Sequence, residues 1–175
     1  MKVFVVGGAT NYANFLEEAS LVDRVEDADV VLFTGGEDVD PSLYGCERDR
    51  YTHSNKKRDL AEKKIFESVK PTQLCLGICR GSQFLCVMNG GILVQHCWNH
   101  AIGYTHEISD GDTLYQITST HHQMQYPYNL NGVDYDVLFT TEQRRSHEYV
   151  GEKIDQDTII KNGEPEIVLY HKEGF

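Results

Sequence analysis

Leu74-Cys75-Leu76-Gly77-Ile78-Cys79-Arg80-Gly81-Ser82-Gln83 decides how this chain folds and where its chemistry sits. The apolar run at 73–78 predicts a buried strand. Residues 82–88 predict a helix, which Asn89-Gly90-Gly91 ends. Between them stands Gly-x-Cys-x-Gly, the thiol counterpart of a nucleophile elbow, where a sharp strand-to-helix turn lifts one side chain clear of the sheet. Such a turn strains the backbone at its centre, and side chains two residues away on either side would collide with it, so glycines flank it. A helix start also places the positive end of the dipole at the thiol, which favours thiolate. Cys79 is therefore the candidate nucleophile. Cys75 and Cys86 lie in apolar runs without flanking glycines and read as small hydrophobes.

Working outward, residues 3–6 and 30–33 are continuous apolar runs stopped by Gly7-Gly8 and Thr34-Gly35-Gly36. Residues 14–21 predict a short helix. Residues 58–69 predict a longer one, with Leu60, Ala61, Ile65, Phe66 and Val69 as its apolar stripe and Pro71 behind it. Unbroken apolar strands alternating with helices predict an α/β fold, a mainly parallel sheet covered by helices on both faces. After Gly91 the texture changes to short alternating strands at 92–95, 105–108, 114–117 and 135–139, an antiparallel appendage. Residues 140–157 are polar and read as a loop.

A chain of 175 residues without repeat or linker predicts one domain, 1–175. The formal charge of -11 repels phosphate backbones and argues against nucleic-acid binding. No apolar run is long enough for a membrane span. The basic residues Lys56, Lys57, Arg58, Lys63 and Lys64 alternate with acids and read as a solvated helix face. Five cysteines, an odd count without C-x-x-C, fit reduced thiols and a cytoplasmic location. No metal and no cofactor are expected.

The stretch from Gly77 to Gly91 resembles the active-site elbow of class I glutamine amidotransferases, and is most similar to their γ-glutamyl hydrolase branch (peptidase C26), which includes the γ-glutamyl-γ-aminobutyrate hydrolases. Phe33-Thr34-Gly35-Gly36-Glu37-Asp38-Val39-Asp40-Pro41 resembles that branch's glycine-rich oxyanion loop. Arg58-Asp59-Leu60-Ala61-Glu62 resembles its helix opening, and Ser119-Thr120-His121-His122-Gln123 its substrate-side Ser-x-His-x-Gln segment. The resemblance implies a flavodoxin-like fold and a thioester formed on Cys79. Gly35-Gly36 and the Arg80 amide would stabilise the oxyanion, and Gln83 and His121 would hold the glutamyl group. The substrate would be glutamine or a γ-glutamyl small molecule, with a separate synthetase subunit as a possible receiver of ammonia.

The family places its base and orienter in a His-Pro-Glu motif, which is absent here. Two readings stay open. His171 and Glu173 have the right types and i,i+2 spacing after an apolar strand, and can serve as base and orienter. Alternatively, residues 166–175 are the preceding hairpin arm of a C-terminally truncated chain, and the motif lies beyond it. His96, His100 and His106 could form a pocket wall or a metal site, but no ligand spacing recurs. His122 is a candidate substitute base, and His53 and His147 fall in polar loops. Three functions follow: a glutamine amidase, a stand-alone γ-glutamyl hydrolase, and a non-catalytic binding subunit lacking a complete triad.

Overall fold

The computed structural model describes residues 1–171. Strands β1 (Lys2–Val5), β2 (Ser20–Leu21), β3 (Val30–Phe33) and β4 (Leu74–Gly77) form one parallel sheet in the order β2-β1-β3-β4. The chain steps outward from β1 in both directions, so a crevice opens at the carboxyl ends of β1, β3 and β4, where such sheets bind ligands. Helices α1 (Lys56–Ser68) and α2 (Arg80–Met88) flank β4 in sequence. Side chains alternate across a strand, so Val31 and Phe33 face these helices, with the Phe33 and Phe84 rings stacked 5.3 Å apart.

Val3, Val5, Val30 and Leu32 point the other way and pack with Tyr12, Ala13 and Leu16. Short 3-10 turns cover that face, in place of the helix expected at 14–21. Glu18 has φ 55, which no helix continues through, and Phe15 stays exposed. Among the described residues, the expectation of helices on both faces is met on one. The apolar stripe expected on α1 holds in part: Ile65, Phe66 and Val69 pack against the core, but Asp59 and Glu62 are the buried residues of the helix and Leu60 is 45% exposed. The cause lies on α2, whose Arg80 is fully buried and pairs with both carboxylates. Unpaired, that guanidinium could not be buried, so charge pairing sets the rotation of the helix.

The second half is antiparallel, as expected. Strands β5 (Ile92–Val94) and β6 (His96–Cys97) are followed by β7 (Thr105–Ser109), β8 (Leu114–Thr118), β9 (Met124–Tyr126), β10 (Asp134–Thr141) and β11 (Tyr149–Val150). Helix α3 (Gln156–Asn162) then leads to β12 (Pro165–His171). β5 pairs with β9, β6 with β11, and a four-stranded sheet runs β12-β10-β7-β8. The polar segment 140–157 is partly ordered around buried Ser146 and Tyr149, both hydrogen-bonded to Glu164.

β12 belongs to this antiparallel sheet. Its partner is β10, with His171 opposite Asp134. β4 therefore remains an edge strand among the described residues, bordering an apolar groove of about 1270 Å³ that β12 walls on its far side. No described helix is long and apolar enough to cross a membrane. No disulfide joins the five cysteines.

Candidate active site

The elbow forms as its residues require. Cys79 caps α2 with φ 53 and ψ -116, a conformation that costs a non-glycine residue energy and persists only where the surroundings impose it. Those surroundings are tight. A Cβ on Gly77 would lie 2.5 Å from the Ser82 nitrogen, and one on Gly81 would run into the Phe33 carbonyl. The Cys79 carbonyl is held by the Ser82 amide at 3.0 Å and the Ser82 hydroxyl at 2.7 Å.

The glycine loop after β3 lies against this turn. A Cβ built on Gly35 would sit 3.7 Å from Cys79 Cβ. Gly36 has φ 142, and its own Cβ would strike the Arg58 guanidinium. Arg58 pins the loop by donating from Nη2 to the Gly35 carbonyl at 2.9 Å and from Nη1 to Glu37 at 2.7 Å, with Nε on Glu62 at 2.8 Å. A trans peptide points its N–H opposite its carbonyl. Holding the Gly35 carbonyl on Arg58 therefore turns the Gly36 N–H away from that helix. Arg58, expected on a solvated face, is part of the loop's anchorage. Asp59 extends it, accepting from the Asp40 amide at 2.9 Å.

The other proposed site residues divide clearly. The backbone N–H of Arg80 reaches the Cys79 thiol, while its side chain turns away to Asp59 and Glu62. Gln83 is buried and donates to the Gln123 carbonyl at 2.8 Å, which joins α2 to the 119–123 strap. His121, on that strap, places Nδ1 2.9 Å from the same carbonyl and Nε2 3.5 Å from Glu166. Gly36, Cys79, Arg80, Gln83 and His121 line one pocket of about 240 Å³.

His171 is placed elsewhere. It sits on the solvent side of β12 with Nε2 2.8 Å from Asp136, a hydrogen bond that raises its pKa, and it makes no described contact with Cys79. The reason is strand alternation, since Tyr170 takes the inward position and donates to Gln125 at 2.8 Å. Glu173 lies outside the described residues.

Thr120 was not singled out from sequence. Its hydroxyl hydrogen-bonds the Cys79 thiol, and only its place inside Ser-x-His-x-Gln could have marked it. Burial raises the Cys79 pKa above its ordinary value, against the lowering contacts of the Arg80 N–H and Thr120. The helix start therefore does not yield the ready thiolate expected of it, because desolvation outweighs these donors. His122 also lines the pocket, with Nε2 3.1 Å from Asp38 and Nδ1 3.3 Å from His96. His96 in turn stacks on Tyr51 at 4.1 Å.

Comparison with known proteins adds to this geometry. The sequence model of the peptidase C26 family matches residues 5–142. A Mycobacterium tuberculosis protein provisionally named a glutamine amidotransferase is 41% identical over 68 residues, 38% of this chain and 22% of its own length. The protein NtpR of Enterococcus hirae is 33% identical over 73 residues, 41% of this chain and 30% of its own length. In both cases the match spans less than a third of the relative.

Proposed function

From the premise that the chain belongs to the peptidase C26 family, we propose that it cleaves a γ-glutamyl amide bond through a thioester on Cys79, the side-chain amide of glutamine being the smallest case. The observation that carries this reading is the strained Cys79 turn facing a pinned glycine loop. The thiolate adds to the amide carbon, and the carbonyl oxygen takes the negative charge. Donors that hold that oxyanion are the N–H groups of Gly36 and Arg80, fixed before substrate arrives. Collapse expels the protonated amine or ammonia and leaves a glutamyl thioester, which water hydrolyses to glutamate and free thiol. Gln83 and His121 hold the glutamyl group. Ammonia from glutamine is released or passed to a separate synthetase subunit.

A raised thiol pKa makes a base necessary. The resemblance gives that part to a His-Pro-Glu motif at a strand end, which residues 1–175 lack. A second reading, favoured by the 3.1 Å contact between His122 and Asp38 in the pocket, makes that pair base and orienter.

Hydrolysis of γ-glutamyl p-nitroanilide and of glutamine tests the proposal. Cys79→Ala should abolish both, and a glutamine-analogue electrophile should modify Cys79 ahead of Cys46. His171→Ala should leave the rate within about twofold, whereas loss of a general base costs roughly 10²–10⁴-fold. A loss of that size in His122→Ala would select the second reading, and in His171→Ala would overturn both. Absence of turnover and of Cys79 labelling would leave a binding subunit.

A further inference from the structure

Three histidines from different segments converge on one buried carboxylate beside the pocket. His106 comes from β7, His121 from the strap, His100 from the turn after β6, and Glu166 from β12. His106 Nε2 lies 3.1 Å and His100 Nδ1 3.3 Å from Glu166 Oε1, and His121 Nε2 lies 3.5 Å from Oε2. We propose that His100, His106 and Glu166 form a buried site for one divalent transition ion, with Zn²⁺ the ion whose preferences they match. The site does not depend on the amidase reading.

The spacing is the first support. Ligands about 2.0–2.1 Å from a tetrahedral zinc stand roughly 3.3 Å apart, close to the separations around Glu166. The ligand atoms of His100, His106 and Glu166 all lie within 4.8 Å of one another. Cys97 and His121 make a second close group with His100, but the Cys97 sulfur donates to the His122 carbonyl at 3.4 Å and His121 stands apart from the His106 group, which leaves both outside the set.

The outward nitrogen of His100 is the second support. A histidine that binds metal commonly gives its other ring N–H to a carboxylate or a backbone carbonyl. His100 has Nε2 3.3 Å from a Glu164 oxygen, near enough for that bond though not directed for it. Glu164 is itself held by Thr141, Tyr149 and the amides of Arg145 and Ser146. With a proton on the outward nitrogen, the lone pair points inward.

Burial is the third. His100 is wholly inaccessible, and neither ring nitrogen makes a properly directed hydrogen bond, although carboxylate oxygens lie 3.3 Å away. Each inward nitrogen facing Glu166 needs either a proton or a shared cation. One dication does the work of two protons. Three protein ligands leave the fourth tetrahedral position to a water. The ion ties β7 and β12 to the turn after β6 that carries His100.

Tag-free Cys79→Ala protein, in which the pocket thiol cannot compete, is stripped with a chelator and titrated with Zn²⁺ alone. One equivalent per chain should bind and raise the melting temperature, and Co²⁺ should give the visible bands of a tetrahedral N/O site. His106→Gln should abolish stoichiometric binding and the thermal shift. Glu164→Gln, an outer partner, should weaken Zn²⁺ by roughly 10–100-fold. A folded parent that takes up no zinc, or a His106→Gln variant that binds it unchanged, overturns the site and leaves the cluster held by protons.

Discussion

The two polar centres of this molecule lie on either side of the 119–123 strap and are built in opposite ways. Around Cys79 the work is done by backbone: a strained turn, two glycines without room for a Cβ, and the Arg80 amide on the thiol. Around Glu166 it is done by side chains from four segments, and the backbone only delivers them. The first centre is intolerant of any added atom. The second is intolerant of a lost charge, because every donor around a buried carboxylate would be left unpaired.

The largest effect should come from Glu164. It accepts from the Thr141 and Tyr149 hydroxyls at 2.8 Å, from the Ser146 amide at 2.8 Å and from the Arg145 amide at 2.9 Å. Burial opposes its charge, but His100 and these amides hold its pKa down at about 2. Glu164→Ala should cost about 3–5 kcal/mol, as for breaking a buried pair. In a chain of this length that lowers the melting temperature by roughly 10 °C. Denaturant melts that show less than about 1 kcal/mol would remove the contrast between the two centres.

Gly81→Ala should come next. In a helix interior this exchange ordinarily stabilises by about 1 kcal/mol. Here the new methyl meets the Phe33 carbonyl, so a loss of about 2–3 kcal/mol is expected instead, as for overpacking. A gain in thermal stability would show that the elbow has slack.

Thr120→Val should have the smallest effect on stability and a specific one on chemistry. The raised Cys79 pKa means that its alkylation should still be accelerating at pH 9, where an ordinary thiol is half ionised. The Thr120 hydroxyl favours the thiolate, so removing it should move that rise to higher pH. Alkylation near neutral pH should slow by roughly tenfold, the worth of one hydrogen bond to a charged group. A pH profile identical to the parent's would take Thr120 out of the site.

The sequence by itself determined the features that depend on neighbours in the chain. The elbow was legible because strand, Gly77, Cys79, Gly81 and helix are contiguous, and their steric demands are local. The loop at Gly35-Gly36 was legible for the same reason, as were the parallel strands and the antiparallel half. Tertiary structure alone decided what convergence decides. It buried Asp59 and Glu62 where periodicity pointed to Leu60, because Arg80 lies opposite them. It set Thr120 on the thiol, and it turned His171 to Asp136 through β12's pairing with β10. It also gathered His100, His106 and His121 around Glu166 from positions up to 66 residues apart. A charge's partner, unlike a turn's glycine, is not adjacent in sequence, and burial makes that partner the larger energy.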